Sequence, residues 1–534
     1  MASRYCQYPW LFPSMSPNNK QVLAVGIEVG NYQLVKDWIN LGLLPVLQSI
    51  SEQGSLCPMS TVTEISSGSI WPSFGTGTNP LRNGQFFTHM QLANGSYRIN
   101  KKYASDIPVE PFWALLARDG CRVFSFDIAQ TRPINGFNGI NLCGWGSEYP
   151  AWPRSSWPEP LMHELVSRYG SHPLVNSYRL SISPETEEEY KDFYEKLTTG
   201  LQRKGEICVD LLGREPWDLA LIVFPEVHWA MHLLWQTYDR EHPDYNPDVR
   251  LPFDNIFLDL YERLDAWIGR FMELMPGADV VVFSGSGLGP NYSGWHLLPE
   301  VLDKIGAGPP KENDTRYSVS ALLPMQRWGA SKIRKIEDRL SLDVIEFLKK
   351  CLPAPIWDKV TRRMLYAGNR WDKSRAFALP NDYSGAIRIN LRGREPSGTV
   401  SPGAEYESLC NEIIDELKQL INPDTGRPVV AEVFRLREMY PEEDLGDFPD
   451  LIVTWANDAP ITAVESARVG LVSRAFPERR SGAHRNDCFL ISSHGLDTQT
   501  SEGRSPSLLD VAPTIFDLLG ARPASHFDGS SLLG

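Results

Sequence analysis

The stretch that decides the fold is 218–235, DLALIVFPEVHWAMHLLW, in which an apolar run leads into a pair of histidines. The run Asp218–Phe224 has the length and composition of a buried β-strand. His228 and His232 follow it four residues apart, a spacing that places both imidazoles on one face of a helix. Two such histidines can share a metal ion, although packed or surface histidines give the same short pattern and a metal site needs a third ligand. The stretch therefore predicts a strand followed by a helix that carries a candidate metal site.

Three other segments have the same form, with an apolar strand beside a polar turn. They are Val22–Val25 before Gly26–Gly30, Asp279–Phe283 before Ser284–Pro290, and Cys488–Ile491 after Ser481–Arg485. In open parallel α/β sheets, ligands gather beyond the carboxyl ends of the strands, so Glu28, His228 and Gly285 are expected to face a common crevice. A fourth segment, SSGSIWPSFGTG at Ser66–Gly77, places hydroxyls at a helix N-terminus, which suits anions.

Eight motifs follow one another in a fixed order over most of the chain. They are VLAVGIEVG (22–30), LLPVLQSISEQG (43–54), IWPSFGTGTNPLRNG (70–84), HLLWQTYDREHPDYNP (232–247), SGAIRINLRGREPSGTVSPGAEYE (384–407), FPDLIVTW (448–455), SGAHR (481–485) and LLDVAPTIFDLLGARPASHFDG (508–529). In this order they resemble the type I phosphodiesterase/nucleotide pyrophosphatase branch of the alkaline phosphatase superfamily, in particular its predicted phosphohydrolase/phosphomutase members. The resemblance implies an α/β fold, a three-layer sandwich with a mostly parallel central sheet and a cap insertion.

The resemblance also implies two adjacent metal sites, and this sequence alters them differently. The first site is matched by His228, His232 and His484. The second site is matched by Glu28, Ser67, Gly285 and Ser286. In the first site, histidine at position 228 replaces an aspartate of the family. In the second site, glutamate replaces aspartate at position 28, and a Gly-Ser pair replaces an Asp-His pair. One site keeps three ligands, whereas the other loses most of its ligands.

The chemistry of these two ligand sets predicts one bound metal. Three neutral imidazoles with an open fourth position are the ligand set of a catalytic zinc that ionises a bound water, and they also suit iron or copper. The exchange of aspartate for histidine raises the charge of the filled site and makes the metal a stronger Lewis acid. A second metal would keep only the Glu28 carboxylate and the neutral Ser67 hydroxyl, which are too few donors for tight binding. The predicted cofactor is one divalent metal ion, with zinc placed before iron or copper.

Glu28 and Ser67 are the predicted catalytic residues. Glu28 is interpreted as a fourth ligand or a general base, and the alternative is a buried carboxylate paired with an arginine. Ser67 is predicted to orient the substrate rather than attack it, because no base neighbours it in sequence, and the alternative is a helix N-cap. Glu226 and Asp497 are interpreted as solvated or capping carboxylates. Trp71 is interpreted as core or pocket wall.

Composition restricts the possible partners. The chain has 534 residues, a hydrophobic fraction of 42% and a net charge of −14, which argues against binding to nucleic acid or to an anionic membrane. Its first 20 residues contain no apolar run of signal-peptide length, and no transmembrane run follows. The 8 cysteines are scattered without a CxxC motif and indicate reduced thiols. The predictions are a cytoplasmic protein and a small-molecule substrate, with the oligomeric state left open.

The pattern along the chain divides it into six segments. These are an N-terminal arm (1–20), three parts of the core α/β domain (21–131, 217–296 and 431–534), a cap that selects the substrate (132–216) and an accessory subdomain (297–430). The predicted function is a metal-dependent, hydrolase-like enzyme that performs hydrolysis or transfer at a phosphoryl, sulfuryl or acyl centre by a non-standard mechanism. The alternatives are a three-histidine iron or copper enzyme with redox or lyase chemistry, and a non-catalytic relic that binds a ligand or partner.

Overall fold

A computed structural model describes residues 20–533, apart from 63, 88–90, 94, 101, 148–153, 175–182, 310–369, 475–479 and 499–503. The chain divides into two compact units, the first formed by residues 1–89, 102–292 and 476–534 and the second by residues 90–101 and 293–475. The predicted N-terminal arm lies outside the described residues except for Lys20. The boundaries of the other predicted segments stay predictions.

The described part of the chain contains strands and helices in alternation. The strands are β1 (Val22–Val29), β2 (Ser55–Met59), β3 (Gln91–Leu92), β4 (Ile99–Asn100), β5 (Val123–Phe126), β6 (Gly139–Cys143), β7 (Ser155–Trp157), β8 (Leu219–Phe224), β9 (Asp279–Pro290), β10 (Ala376–Leu379), β11 (Gly385–Ile389), β12 (Val430–Arg435), β13 (Leu451–Trp455), β14 (Ala463–Ser466), β15 (Gly470–Ser473), β16 (Gly482–Arg485) and β17 (Cys488–Ser492). The α-helices are α1 (Tyr32–Asn40), α2 (Pro45–Gln53), α3 (Ile70–Thr76), α4 (Pro80–Asn83), α5 (Phe112–Arg118), α6 (Leu161–Tyr169), α7 (Glu187–Leu212), α8 (Glu226–Tyr238), α9 (Ile256–Leu274), α10 (Leu298–Lys304), α11 (Ala404–Lys418), α12 (Leu436–Met439) and α13 (Val511–Leu518). Short 3-10 helices lie at Ser67–Ser69, Ala104–Asp106, Trp295–Leu297, Trp371–Lys373 and Leu508–Asp510.

The first unit is built on one large, mostly parallel sheet. Its strand order is β2-β17-β9-β1-β8-β5-β6-β7, with β16 paired to the far end of β9. The pairings among β9, β1, β8, β5 and β6 are parallel. The pairings of β2 with β17, β17 with β9, and β6 with β7 are antiparallel. Parallel strands need crossover connections, and helices supply them except between β5 and β6, which residues 127–138 join without a helix.

Helices cover both faces of this sheet because the central strands are apolar on both faces. Leu23 and Val25 of β1 belong to a core cluster that also contains buried side chains of α1, α2, α7, α8 and α9. Val22 and Ala24 point to the opposite face and pack in a second cluster with α3, α5 and α13. Alternate residues of a strand point to opposite faces, so β1 contributes to both cores. The predicted three-layer α/β sandwich is confirmed.

The long helix α7 belongs to one of these helix layers. Its apolar side chains, among them Phe193, Leu197 and Leu201, lie in the same core cluster as the β1 and β8 side chains. Thr186 caps the helix, since its side chain accepts a hydrogen bond from the Glu189 amide and Glu189 reaches back to the Thr186 backbone. This part of the segment predicted as a cap therefore lies in the core. The role of the segment in substrate selection stays a prediction.

Two of the predicted polar turns are strand instead. β1 continues through Glu28 to Val29, and β9 continues through Gly285 and Ser286 to Pro290. Pairing explains the difference, because Val29 pairs with Ser286 and the end of β9 gains β16 as a partner. Strand pairing satisfies the backbone groups of these polar and glycine-rich residues, which local propensity alone assigns to turns. The side chains of Glu28 and Ser286 therefore project from paired strands of a rigid sheet.

The second unit has its own sheet and core. Its four-stranded sheet has the order β10-β11-β13-β12, with antiparallel pairings throughout. Buried side chains of α10 and α11 pack with those of the sheet in one apolar cluster. The hairpins β3-β4 and β14-β15 belong to the same unit.

Candidate metal centre

Three histidines from two distant parts of the first unit converge on one point. His228 and His232 lie on α8, which begins directly after β8, and His484 lies on β16. The Nε2 atom of His228 is 2.9 Å from Nε2 of His232 and 3.2 Å from Nε2 of His484. All three side chains are buried. A candidate ligand set for one metal ion is therefore assembled as the sequence predicts.

Strand pairing and one backbone contact bring β16 to α8. Residues 482–485 pair with the end of β9, so that His484 lies opposite Leu288. The Ser481 amide donates a 2.9 Å hydrogen bond to the His232 carbonyl. Gly482 lies so close to α8 that a Cβ atom there would be 2.1 Å from the Met231 carbonyl oxygen. A glycine is required at this approach, which explains the Gly482 of the SGAHR motif.

The second ring nitrogens of His232 and His484 also have partners. Nδ1 of His232 lies 2.8 Å from the Gly482 carbonyl oxygen, which can only accept, so Nδ1 donates and Nε2 keeps its lone pair. Nδ1 of His484 lies 2.7 Å from the Ser286 hydroxyl. Partners of this kind orient metal-binding histidines and select the tautomer. The Nε2 lone pair of His232 is thereby turned toward the cluster, and the Ser286 hydroxyl can accept a proton from Nδ1 of His484 when Nε2 of that ring binds a metal.

Glu28 contacts the ring nitrogen of His228 that faces away from the cluster. Its Oε2 atom is 3.5 Å from Nδ1 of His228. Its Oε1 atom accepts a 3.4 Å hydrogen bond from the indole nitrogen of Trp71. Burial raises the pKa of Glu28 to about 8, and the Trp71 hydrogen bond partly opposes this rise. The Glu28 carboxyl group lies where the orienting partner of a metal-bound histidine is usually found.

Burial keeps the three imidazoles neutral. It lowers the pKa of His228 to about 3, with a smaller contribution from the positive charge of Arg480. Burial and the neighbouring histidines hold the pKa values of His232 and His484 well below the usual range. Neutral imidazole is the form that binds metal.

This donor set fits one divalent metal. Tetrahedral ligands about 2.0 to 2.1 Å from a zinc ion are separated by roughly 3.3 Å, close to the distances between the Nε2 atoms here. The residues that correspond to the second site do not fit a metal, since Gly285 has no side chain and the Ser286 hydroxyl already contacts His484.

The predicted catalytic serine and the capping serine are different residues. Ser66 is the N-cap of the 3-10 helix Ser67–Ser69, because its side chain accepts a hydrogen bond from the Gly68 amide at 3.2 Å. Ser67 is the first residue of that helix and is half-buried. The alternative interpretation of Ser67 as a cap is therefore wrong, and its role toward a substrate stays a prediction.

The interpretation of Glu226 as a solvated or capping carboxylate is wrong, because the side chain neither reaches solvent nor caps α8. The residue is fully buried in the first turn of α8, two positions before His228. Its Oε1 atom lies 3.2 Å from Nε2 of His172, whose Nδ1 accepts a hydrogen bond from the Leu174 amide. Its Oε2 atom has no hydrogen-bond partner among the described residues. Because His172 is remote in sequence, local patterns around Glu226 could not predict this burial.

A second buried charged pair lies at the carboxyl ends of β5 and β8, and sequence reasoning missed it. Lys204 of α7 donates to Oδ2 of Asp127 at 2.9 Å, and both side chains are fully buried. Lys204 also donates to the Val223 carbonyl at the end of β8. Asp127 has a positive φ of 64° and accepts hydrogen bonds from the Trp145 and Gly146 amides. The only sequence signal was a lysine within the apolar periodicity of α7.

Comparisons with known proteins agree with this architecture. The crystal structure of phosphonoacetate hydrolase from Sinorhizobium meliloti 1021 in complex with phosphonoformate aligns with a TM-score of 0.51 and 12% identity, covering 94% of this chain and 95% of that chain. Human ectonucleotide pyrophosphatase/phosphodiesterase 5 aligns with a TM-score of 0.42 and 11% identity, covering 96% of this chain and 97% of that chain. At these identities the first likeness shows the fold alone, and the second is too distant to support a conclusion. Among curated proteins, no sequence matches the chain.

The family model for type I phosphodiesterase/nucleotide pyrophosphatase matches residues 22–462, which is most of the chain. The chain belongs to the type I phosphodiesterase/nucleotide pyrophosphatase family. The predicted family and the predicted hydrolase-like enzyme are thereby confirmed. None of the helices in the described part of the chain is both long and apolar enough to cross a bilayer.

Proposed function

We propose that this protein is a hydrolase or transferase that uses one divalent metal ion bound by His228, His232 and His484 to act on a small molecule at a phosphoryl, sulfuryl or acyl centre. The observation that carries the proposal is the convergence of three neutral imidazoles, with Nε2 atoms 2.9 and 3.2 Å apart. Zinc is the proposed metal, since a three-histidine set with an open fourth position is a catalytic zinc site. Such a metal supplies Lewis-acid chemistry when bound.

The chain's own residues prepare this site in two ways. The Gly482 carbonyl and the Ser286 hydroxyl orient the rings of His232 and His484. The Glu28 carboxyl lies 3.5 Å from Nδ1 of His228, which supports an orienting role there in place of the fourth-ligand role. A base role for Glu28 stays a prediction.

The proposed position of substrate recognition is the start of the 3-10 helix at Ser67. Its hydroxyl and the amides of the first turn are suited to hold an anionic group of the substrate. Ser67 has no second metal in this proposal and no adjacent base in sequence, so a covalent phosphoserine intermediate is not part of the mechanism. Aryl phosphodiesters, which ordinary members of the branch cleave with two metals, are expected to be poor substrates.

Metal analysis of protein purified without added metal tests the proposal. The expected result is about one equivalent of zinc per chain, lost in His228→Ala, His232→Ala and His484→Ala because two imidazoles hold a divalent ion far more weakly than three. His163→Ala is the matched control, since His163 is exposed on α6. Full metal occupancy in His228→Ala would contradict the proposed ligand set.

The identity of the metal separates the remaining alternatives. A three-histidine set also suits iron or copper, so recovery of either metal would favour redox or lyase chemistry over hydrolysis. Protein that binds no metal at any concentration tested would favour a non-catalytic relic.

A further inference from the structure

The indole of Trp71 lies over the middle of two neighbouring strands, β1 and β9. Trp71 lies in the first turn of α3 and is 3% exposed. A Cβ atom at Gly285 of β9 would be 3.1 Å from Cζ2 of Trp71. A Cβ atom at Gly26 of β1 would be 3.3 Å from Cη2 of the same ring. One edge of the indole therefore lies directly over the backbone at both glycines.

The indole also forms a hydrogen bond with Glu28. The indole Nε1, which is next to this edge, donates to Oε1 of Glu28 at 3.4 Å. The other carboxyl oxygen lies toward Nδ1 of His228. Both oxygens of Glu28 are thus directed at nitrogen atoms, and the indole contacts both the Glu28 carboxyl and the space next to Gly285.

Aromatic packing holds the indole in this place. Phe74 contacts it edge-on with ring centroids 5.6 Å apart, and Phe283 of β9 lies 6.5 Å from it. The ring belongs to the core cluster on one face of the sheet. Repositioning the indole would disrupt this close packing, so the packing holds the ring in a fixed position over β1 and β9.

We propose that Trp71 excludes a second metal ion from the position between Glu28 and residue 285, and so restricts this chain to the one metal of the three histidines. The inference rests on the proposed function for the existence of that first metal. A hydrated divalent cation needs several oxygen or nitrogen donors and room for its ligands. Here the ring lies over position 285, and its N–H competes for the carboxyl oxygen. A Cβ atom at position 285 would be crowded by the indole at 3.1 Å, by the Glu28 carbonyl oxygen at 3.1 Å and by Ile70 at 3.3 Å. Two features therefore distinguish this site from a two-metal site. One is the loss of ligands, and the other is the bulk of the indole.

The test adds a carboxylate at position 285, once with the Trp71 indole present and once with it removed. Gly285→Asp supplies a carboxylate, and Trp71→Ala removes the indole. The expected result in excess zinc is no added metal in either single variant and one added equivalent in the double variant. Trp71→Phe combined with Gly285→Asp gives a second version that keeps aromatic packing but lacks the outer edge of the indole, and it is expected to gain the same equivalent.

The control is Trp113→Phe combined with Gly285→Asp. Trp113 is a fully buried tryptophan of the same core cluster, but it packs on Phe74 and Gly75 rather than over Gly26 and Gly285. This control is expected to bind no added metal. Substitution with cobalt(II) gives a second readout, because two cobalt ions in adjacent sites couple magnetically and one does not.

Two outcomes would overturn the proposal. One is an added equivalent in Gly285→Asp with Trp71 intact, since the ring would then exclude nothing. The other is no gain in both double variants, provided that their circular dichroism spectra and unfolding transitions are cooperative. The added metal content is measured as the difference between a double variant and Gly285→Asp. Failure of the three-histidine site would appear differently, as absence of metal in the unaltered protein, so the two failures are distinguishable.

Discussion

Replacement of Ser286 by alanine tests whether the orientation of His484 contributes to metal affinity. The Ser286 hydroxyl lies 2.7 Å from Nδ1 of His484, and both side chains are buried. When Nε2 of this ring binds a metal, Nδ1 carries the proton and donates it to the hydroxyl oxygen. Alanine leaves the backbone pairing of β9 intact and removes only this acceptor.

The expected magnitude follows from the burial of the contact. A buried donor left without a partner costs about 1 to 3 kcal/mol. Loss of an orienting partner of a metal ligand weakens binding by about 10- to 100-fold, which corresponds to roughly 1.4 to 2.7 kcal/mol. We therefore expect Ser286→Ala to raise the metal dissociation constant about 10- to 100-fold while His484→Ala raises it much further.

Competition with a chromophoric chelator measures this dissociation constant. Ser284→Ala is the matched control, because Ser284 is a buried serine of the same strand whose hydroxyl donates to the Gly30 carbonyl at 3.0 Å and accepts from the Phe489 amide. This control should lose stability in urea but keep its metal affinity. An unchanged dissociation constant in Ser286→Ala, or an equal loss in Ser284→Ala, would refute the reasoning.

Three further predictions address mechanism, pH and the buried charges. Ser67→Ala should retain a sizeable fraction of activity on the native substrate, because the proposed mechanism forms no covalent serine intermediate. Glu28→Gln should lose most of the activity, because the Glu28 carboxyl is the proposed orienting partner of His228. Mass-spectrometric detection of phosphate on Ser67 during turnover would contradict the first expectation. Burial lowers the pKa of His296 to about 4, so the unfolded chain binds a proton more readily than the folded chain as the pH falls from 6.5 to 4. Stability should therefore fall over this range by as much as about 3 kcal/mol, and His296→Gln should reduce that fall in urea titrations; an identical pH dependence in both proteins would show that the titration of His296 does not contribute. Lys204→Met should cost about 3 to 5 kcal/mol of stability, since it leaves the fully buried carboxylate of Asp127 without its partner; a urea midpoint equal to that of the unaltered protein would rule out an energetic role for the pair.

Periodicity in the sequence was sufficient to predict the elements that carry the first two ligands. The apolar run before Pro225 forms β8, and the following residues form α8, with His228 and His232 one turn apart. The apolar spacing of Leu508–Leu519, followed by Gly520, likewise predicts a helix. The structure has a 3-10 turn at Leu508–Asp510 followed by α13, which ends before Gly520 with a φ of 68°. These elements depend on side chains that are close in sequence, so local propensity and hydrophobic spacing contain the necessary information.

The order of the family motifs also predicted His484 as the third ligand, but its position beside α8 depends on the tertiary structure. The extension of β9 and its pairing with β16 bring together residues more than 240 positions apart. The same pairing turns the predicted polar segment around Ser286 into strand and gives its hydroxyl a histidine partner. No local pattern encodes such a contact, because strand pairing is a non-local interaction whose register depends on the whole sheet.

The interpretations of Glu226 and Trp71 depend on whether each side chain is buried. Glu226 reads as a solvated carboxylate in sequence, and Trp71 reads as a core side chain that could equally line a pocket. In the folded chain Glu226 lies against His172, and Trp71 lies over Gly26 and Gly285. Sequence by itself determines which groups are available and how they are spaced along each element. Only the packing of helices on both faces of the sheet decides which of these groups leave water, and the electrostatic cost of leaving water is what selects their partners and their protonation states.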